Sequence, residues 1–598
     1  MTTYIAPVRE MLFVMNELAD LPAIADLPGN EEVSPDLAEA ILDEAGKFAT
    51  EVLAPINASG DRQGNRWNDG VVSTADGFKE AYASFCETGW NGMPASPDYG
   101  GQGLPALVSC AVGEMWKSAN MAFALCPMLT NGATEAIAHH GSDEIKATYL
   151  PNMVSGKWTG TMNLTEPQAG SDLAAIRTKA EPRGDGSYAI TGTKIFITWG
   201  EHDMAENIIH LVLARLPDAP PGVKGISLFV APKFLVNADG SLGERNDLVC
   251  ASIEHKMGIH ASATAVMSFG EQTGAIGWLI GQPNRGLEYM FTMMNHARVN
   301  VGMEGVGISE RAYQHALAYA RDRVQGRPIG DSSSSTRPIV HHPDVRRMLM
   351  DMKARTEAMR ALAYTTASHM DFAHGHPDEA ERRRHQARVD LLTPVVKGWC
   401  TETAQGVTWN GVQVHGGMGF IEETGASQFM RDARITTIYE GTTAIQANDL
   451  IGRKIAKDKG QAMAVLLADI GSTRDTLARS GDTVLTGIGG ALGEGMAALE
   501  EATQWLLAHY DSDPQAAAAG AVPFLKLTGT VVGGWQMARA ALVAHSRLTA
   551  KEGDESFYWA KLNTARYYAE HVLPEAAAWR EAILNGAGSV LALDEALF

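Results

Sequence analysis

SYAITGTKIFITW, residues Ser187 to Trp199, is the stretch on which the fold turns. Its β-branched and aromatic residues alternate with small or polar ones, the pattern of a strand with one packed face. Four shorter runs share that character: Trp158 to Asn163, Ile208 to Ala214, Gly225 to Val230 and Ala263 to Phe269. Gly- and Asp-containing turns separate them, which predicts a compact middle β domain over residues 158–280.

Outward from this domain the hydrophobic period lengthens to that of helices. Upstream, LAEAILDEAGKFATEVLAP has helical spacing and is predicted to end at Pro55, with further helical runs near 75–89 and 105–149. Pro94, Pro97 and the glycines around Tyr99 to Gly103 make the intervening stretch a loop. Residues 35–157 therefore read as a helical domain, and 1–34 as an N-terminal extension with one amphipathic patch, Met11 to Leu18. Downstream, helical spacing returns from Gly286 and gives a second helical domain over 281–455, interrupted by the Ser-rich loop Gly330 to Thr336. Ala/Leu-rich windows at 461–471, 492–509, 522–548 and 553–572 make 456–598 an extra C-terminal helical domain, with Ala516 to Ala519 as a junction. The fold class is α+β: helical domain, β domain, helical bundle and an added helical domain, without a Rossmann unit.

A chain of 598 residues is too long for one core and divides into two to four domains. Its 45% hydrophobic and 20% charged residues are those of an ordinary globular protein. The net charge of -21 excludes a general nucleic-acid-binding surface, while leaving room for a local basic pocket. Five scattered cysteines form neither a disulfide framework nor a metal site, as expected in a reducing cytosol. The amino terminus lacks the long apolar core of a secretory signal, and no run reaches the roughly 18 apolar residues of a membrane span. These features predict a cytoplasmic protein with no metal.

Several short motifs carry chemistry. In RDARITTIYEGTTAIQANDLIGRK, Arg431 to Lys454, Glu440 ends the apolar run Ile435 to Tyr439. Apolar surroundings disfavour the charged carboxylate and can raise its pKa towards the range of a general base; the ordinary alternative is a turn or helix-start residue. LTEPQAGSDL, Leu164 to Leu173, offers the hydroxyls of Thr165 and Ser171 and close backbone N–H groups, suited to a phosphate or cofactor carbonyl, or simply to a Pro/Gly turn. Thr198 and Trp199 close the long strand, and Trp199 can wall a planar ring or serve the core. Arg298 lies on a helix whose Gly302 and Gly305 permit close approach by another helix or a ligand. Arg323 and Arg327 precede Pro328 and can meet phosphate or form a solvated basic face. In GVQVHGGMGFIEE, Gln413 supplies an amide, while Gly416, Gly417 and Gly419 allow backbone approach to a pyrophosphate or a tight turn. GIGGALGEG, Gly487 to Gly495, lacks βαβ surroundings and is not a dinucleotide fingerprint.

Taken in order, LTEPQAGSDL, KIFITWG, QVHGG and IYEGT resemble the acyl-CoA dehydrogenase family over residues 35–455. The resemblance implies FAD and an acyl-CoA between the middle β domain and the following helical domain. It implies that Glu440 removes the α proton while the β hydride passes to flavin N5, giving a trans-2-enoyl-CoA. It assigns Thr165, Ser171, Thr198 and Trp199 to the flavin or its diphosphate, and Arg298 to the support of Glu440. Arg323, with Arg321 as the alternative, joins Gln413, Gly416 and Gly417 against the adenosine-diphosphate part of FAD from a neighbouring subunit, so a homodimer or higher homo-oligomer is expected. Electron-transfer flavoprotein is the expected electron acceptor. RVQGRPI is one residue shorter than the family's pattern, and the acidic segment Gly200 to His210 is longer than usual and expected as a solvent-exposed loop or an entrance-shaping one.

The opening YIAPVREMLFVMNEL, residues 456–598 and the phrases NIIHLVLARLP, GVKGISLFV, PKFLVN, SIEHKMGIH and MFTMMNHAR resemble more closely a large bacterial subgroup of the family. That subgroup includes dehydrogenases that convert 3-(methylthio)propanoyl-CoA to 3-(methylthio)acryloyl-CoA in dimethylsulfoniopropionate degradation. A medium- or long-chain dehydrogenase of β-oxidation, an acyl-CoA oxidase and a non-enzymatic acyl-CoA-binding or assembly protein stay open as alternatives. The C-terminal unit is expected to pack on the main body in preference to touching a membrane.

Overall fold

Strands β1 (Trp158–Asn163), β2 (Lys179–Pro182), β3 (Tyr188–Thr198), β4 (Asn207–Ala214), β5 (Ser227–Pro232), β6 (Leu248–Ile253), β7 (Thr264–Phe269) and β8 (Ala275–Ile280) form one sheet. Their order is β6-β7-β3-β8-β5-β4-β1, with β2 also paired to β3. The computed structural model describes residues 3–331 and 335–598, and of residues 292, 293, 295 and 296 the backbone alone; the centre of the Ser-rich loop, 332–334, lies outside the described residues. Each of the five expected runs contains a strand, β5 beginning at Ser227 after a 3-10 turn that ends at Gly225; of the others, β2 is short and charged and β8 carries Gly277. β1 and β4 are buried along their whole length and pair in parallel, so neither shows an alternating face.

A register shift in the middle of the long strand has consequences for the site. Lys194 pairs with Met267 and Ile197 with Ala265, so Ile195 and Phe196 together stand opposite Val266. Phe196 takes φ +59, and this bulge reverses the inward and outward parity of the residues that follow.

The chain divides into two compact units that do not follow chain order. One comprises Lys47–Pro105 and Ala119–Asn300, and contains the sheet. Its core is built from the helix Met121–His140 against β1, where Gly160 permits an approach that a Cβ would close to 2.6 Å from Ala133 Cβ. Leu129, Ile137, Trp158, Ile209, Leu211 and Val230 fill the space between helix and sheet. Pro55, expected to end a helix, instead opens the helix Pro55–Gln63, a first-turn position that needs no amide donor.

The other unit comprises Met1–Gly46, Ala106–Ser118 and Val301–Phe598. Its frame is α1 (Ala106–Ala119), the later part of α2 (Gly286–Asp322), α3 (Pro343–Gly375), α4 (Glu379–His415) and α5 (Ala521–Ala550). Three glycines of α2 set the spacing. A Cβ at Gly302 would fall 2.5 Å from Val396 Cγ1, at Gly305 2.7 Å from the Cys400 carbonyl, and at Gly307 3.0 Å from Lys117 Cβ. The partner of this small-residue stripe is thus a pair of helices.

A buried polar cluster crosses the same frame. The Arg360 guanidinium bonds Glu114 at 2.5 Å and Glu310 at 2.7 Å, and the Tyr364 hydroxyl donates to Glu114 at 2.7 Å. The N-terminal extension is integrated into this unit, with Tyr4, Met11, Val14 and Met15 fully or almost fully buried. Lys561 bridges Glu10 at 2.6 Å and Glu357 at 2.8 Å, and Arg539 donates to the Leu18 carbonyl at 2.8 Å, so both chain ends are tied together. Gly487 to Gly495 lies inside the helix Thr483–His509, which excludes a phosphate-binding turn there. Among the described residues, no helix is long and apolar enough to cross a membrane.

The C-terminal helices are seated on α4 through another close approach, with a Cβ at Gly529 placed 2.0 Å from Trp399 Cγ. Gly529→Ala is expected to lower stability by about 1 to 3 kcal/mol through overpacking. Thermal unfolding would show a lowered Tm; an unchanged Tm would contradict the tight seam between α5 and α4.

Candidate active site

Glu440 sits on a strained turn. A short helical segment, Arg434–Thr437, leads in, and the helix Thr443–Asn448 leads out with Thr442 as its N-cap. Between them Glu440 adopts φ +53 and Gly441 φ +88, two successive left-handed residues. Gly441 takes this conformation freely, whereas for a glutamate it costs on the order of 1 kcal/mol and requires support from its surroundings. That support is visible. Buried Lys397 of α4 donates to the Thr436 carbonyl at 2.8 Å and the Gly441 carbonyl at 2.7 Å, spanning the turn. Gln446 donates to the Glu440 carbonyl at 3.0 Å. The Tyr439 hydroxyl donates to Glu304 of α2, and Thr443 donates to Glu402 at 2.6 Å.

The surroundings of Glu440 are more polar than its neighbours in sequence imply. Ile438 is largely exposed, Glu440 half-buried, and the groups behind the turn are Glu304, Lys117 and Lys397. The support is therefore a buried charged network on α1, α2 and α4. Sequence reasoning missed Lys117, Glu304 and Lys397 because each lies on a separate helix far from the IYEGT motif.

The same unit carries the residues expected to meet a neighbouring subunit's cofactor. Gln413 and Gly416 lie at the end of α4, and Gly416 takes φ +60. Gln413, Gly416 and Gly417 are exposed, and a Cβ at either glycine would meet nothing within 4 Å. Arg323 is exposed just beyond α2, where its carbonyl accepts from Ile339 N at 2.8 Å. These backbone and side-chain groups are open to an incoming ligand.

In the unit that contains the sheet, LTEPQAGSDL folds around buried Glu166. Its carboxylate accepts from Lys194 at 2.8 Å, Thr178 Oγ1 at 2.6 Å, Arg177 N at 2.7 Å and Gln168 at 2.6 Å. Burial opposes its charge, but Lys194 and these hydrogen bonds hold its pKa down at about 2. Burial in turn lowers Lys194 to about 8 despite the carboxylate beside it. Ile195 N donates to the Thr165 carbonyl at 2.9 Å, fastening the loop to β3 next to Phe196. Thr165 and Thr198 are half-buried, Ser171 is exposed, and Gly170 is open around its Cβ position.

Trp199 does not present the expected aromatic wall. It is 1% exposed, its indole N–H donates to the Ala122 carbonyl at 3.2 Å, and its ring meets His202 edge to face at 5.7 Å. The exposed aromatic on this strand is Phe196, at 58%. Simple alternation places Phe196 inside with Lys194; the bulge turns it out and sends Ile197 and Trp199 in. Arg298 is buried on the part of α2 that belongs to the sheet-containing unit.

The acidic segment Gly200 to His210 is likewise corrected, since most of it is buried. Glu201 pairs with Lys233 and, at 3.1 Å, with Arg245, while Asp203 accepts from Thr74 Oγ1 at 2.8 Å. Burial pushes His202 down to about 3, keeping it neutral. Among the described residues, no group of three or more His, Cys, Asp or Glu is arranged to hold a metal. An exposed aromatic face, nearby hydroxyls and open glycine backbone instead fit a flavin and its ribityl-diphosphate chain.

Comparisons with known proteins agree with this chemistry. The acyl-CoA dehydrogenase N-terminal, middle and C-terminal domains match residues 35–157, 161–271 and 284–455, and an acetyl-CoA dehydrogenase C-terminal-like domain matches 466–594. A 3-methylmercaptopropionyl-CoA dehydrogenase from Ruegeria pomeroyi is 50% identical over 98% of this chain and 99% of its own length. A butyryl-CoA dehydrogenase from Syntrophomonas wolfei is 37% identical over 96% and 95%. The structure of an acyl-CoA dehydrogenase complexed with FAD from Bacillus anthracis aligns with TM-score 0.75 at 20% identity, covering 94% of this chain and 90% of that one, so the shared fold includes the C-terminal helices. The chain belongs to the acyl-CoA dehydrogenase family, as an FAD-dependent enzyme with an additional C-terminal helical domain.

Proposed function

We propose that this enzyme oxidises 3-(methylthio)propanoyl-CoA to 3-(methylthio)acryloyl-CoA, with Glu440 as the base. The observation that carries the reaction is the clamped left-handed turn, which fixes a carboxylate at the end of IYEGT. The choice of acyl group rests on the 50% identity to the Ruegeria enzyme over almost the whole of both chains. A second acyl group, butanoyl, is favoured by the 37% identity to the butyryl-CoA dehydrogenase, because a thioether and a methylene differ little in shape.

In this reading Glu440 takes the proton from C2 as the C2=C3 double bond forms. FAD, when bound, supplies the acceptor for the hydride that leaves C3. The Glu440 backbone N–H polarises the thioester oxygen, which gains negative charge as the proton departs. Arg298 supports the base. Thr165, Ser171 and Thr198 hold the flavin or its diphosphate, and Phe196 takes the aromatic role first expected of Trp199.

Arg323, Gln413, Gly416 and Gly417 contact the adenosine-diphosphate part of FAD from a second subunit. Their exposure supports a homodimer or higher oligomer, as do the adjacent exposed Met418, Phe420 and Ile421. Reduced enzyme passes its electrons to electron-transfer flavoprotein. The five cysteines are free thiols, which supports a reducing cytosol.

Glu440→Gln is expected to bind FAD and acyl-CoA normally and to slow anaerobic flavin bleaching by about 10²- to 10⁴-fold, the usual contribution of a general base. Near-normal bleaching would refute the assignment. With the unaltered enzyme, bleaching by 3-(methylthio)propanoyl-CoA is expected to outpace that by butanoyl-, octanoyl- and palmitoyl-CoA. Preference for octanoyl- or palmitoyl-CoA would make it a fatty-acid dehydrogenase, and rapid peroxide formation with oxygen as the only acceptor would make it an oxidase.

A further inference from the structure

We propose that Glu304 is a positioning residue that acts on the Glu440 base through Tyr439 and through its own charge, balanced by Lys117 and Lys397. The proposal rests on Glu440 being the base.

Glu304 lies wholly inside the helical frame, on the stretch of α2 where Gly302 and Gly305 meet α4 and Gly307 meets α1. A buried carboxyl is costly unless its oxygens and charge are matched. Here the matching is partial. Oε2 accepts from the Tyr439 hydroxyl, whereas Oε1 has no hydrogen-bond partner among the described residues. An ionised carboxylate leaves that acceptor unsatisfied; a protonated one carries a neutral O–H there.

The charged groups facing Glu304 come from three elements: Lys117 of α1, Lys397 of α4, and Glu440 with Tyr439 on the turn. Burial raises Glu304 to about 7, the two lysines and the Tyr439 hydrogen bond oppose that rise, and Glu440 adds to it. Burial also pulls Lys117 below the usual lysine range. The glycine stripe is what admits these side chains: Lys117 lies where α1 touches Gly307, and Lys397 follows Val396, which touches Gly302.

Two consequences follow from this geometry. The Tyr439–Glu304 hydrogen bond anchors the residue immediately before Glu440, adding to the Lys397 clamp on the residue after it. As Glu304 ionises with rising pH, its negative charge raises the proton affinity of Glu440 and makes it a stronger base. Glu304 is neutral below about pH 7 and charged above it, so the base strengthens on the alkaline side.

The test is the limiting rate of anaerobic flavin bleaching by saturating 3-(methylthio)propanoyl-CoA or butanoyl-CoA, followed from pH 5.5 to 8.5. Unaltered holoenzyme is expected to show an inflection near pH 7. Glu304→Gln, which keeps an acceptor for Tyr439, should lose that inflection and run roughly 3- to 10-fold slower above pH 8, with half-saturation unchanged. Tyr439→Phe, which keeps the ring and the charge, should slow bleaching at every pH while retaining the inflection. An unaltered inflection in Glu304→Gln, or wild-type rates in Tyr439→Phe, would overturn the proposal. Near-normal bleaching by Glu440→Gln would overturn the base assignment together with it, whereas loss of activity in Glu440→Gln beside an unaltered Glu304→Gln profile would overturn Glu304 alone.

Discussion

Two hydrogen bonds from Lys397 to the Thr436 and Gly441 carbonyls hold the turn that carries Glu440, the proposed base. Two left-handed residues in succession are not a conformation that a glutamate adopts unaided, and the strain favours relaxation of the turn unless other groups hold it. A buried ammonium meets it by binding carbonyls on both sides. The charge itself is then acceptable inside the protein because Glu304 lies in the same network. The proposed base, its Lys397 clamp and the Glu304 carboxyl therefore belong to one network.

That network exists because helices approach closely. Alanine or valine at Gly302, Gly305 or Gly307 would push α4 or α1 away from α2, and with them Lys397 or Lys117. Backbone packing thus sets electrostatics: small residues on one helix decide how near two cations come to a carboxylate. The sheet-containing unit uses a related device, where Glu166 gathers Lys194, Thr178, Arg177 and Gln168 to fix the LTEPQAGSDL loop. In both places a buried lysine fixes a backbone turn, through the Glu166 carboxylate in one and through the Thr436 and Gly441 carbonyls in the other, which is a use of buried charge distinct from stability.

Much of the fold was legible in the sequence, for a physical reason. Side chains of β3 and of the main helices are sorted by burial, and burial imposes a period, whereas β1, β4 and β5 are buried throughout and are marked by residue type and bounding turns. Where burial is uniform or local geometry intervenes, the period fails. β8 contains Gly277; Pro55 opens a helix instead of ending one; and the bulge at Ile195 and Phe196 inverts the faces, which made Trp199 look like the ring-facing aromatic. The motif singles out Glu440 as the proposed base, but the strain of its turn and the supports behind it were not legible, because φ and inter-helix contact leave no periodic trace. The acidic run after Trp199 looked like a solvated loop because Lys233 and Arg245, which pair with Glu201, lie many residues away.

The most direct measurement is the anaerobic flavin-bleaching rate of Lys397→Met, a substitution that keeps the length and packing of the side chain and removes its donors and charge. With FAD and acyl-CoA still bound, bleaching at least about 10-fold slower than in the unaltered enzyme, as for loss of an interaction made in the transition state, is the result expected if the clamp holds the base in place. Bleaching at the unaltered rate would contradict the dependence of the catalytic turn on Lys397.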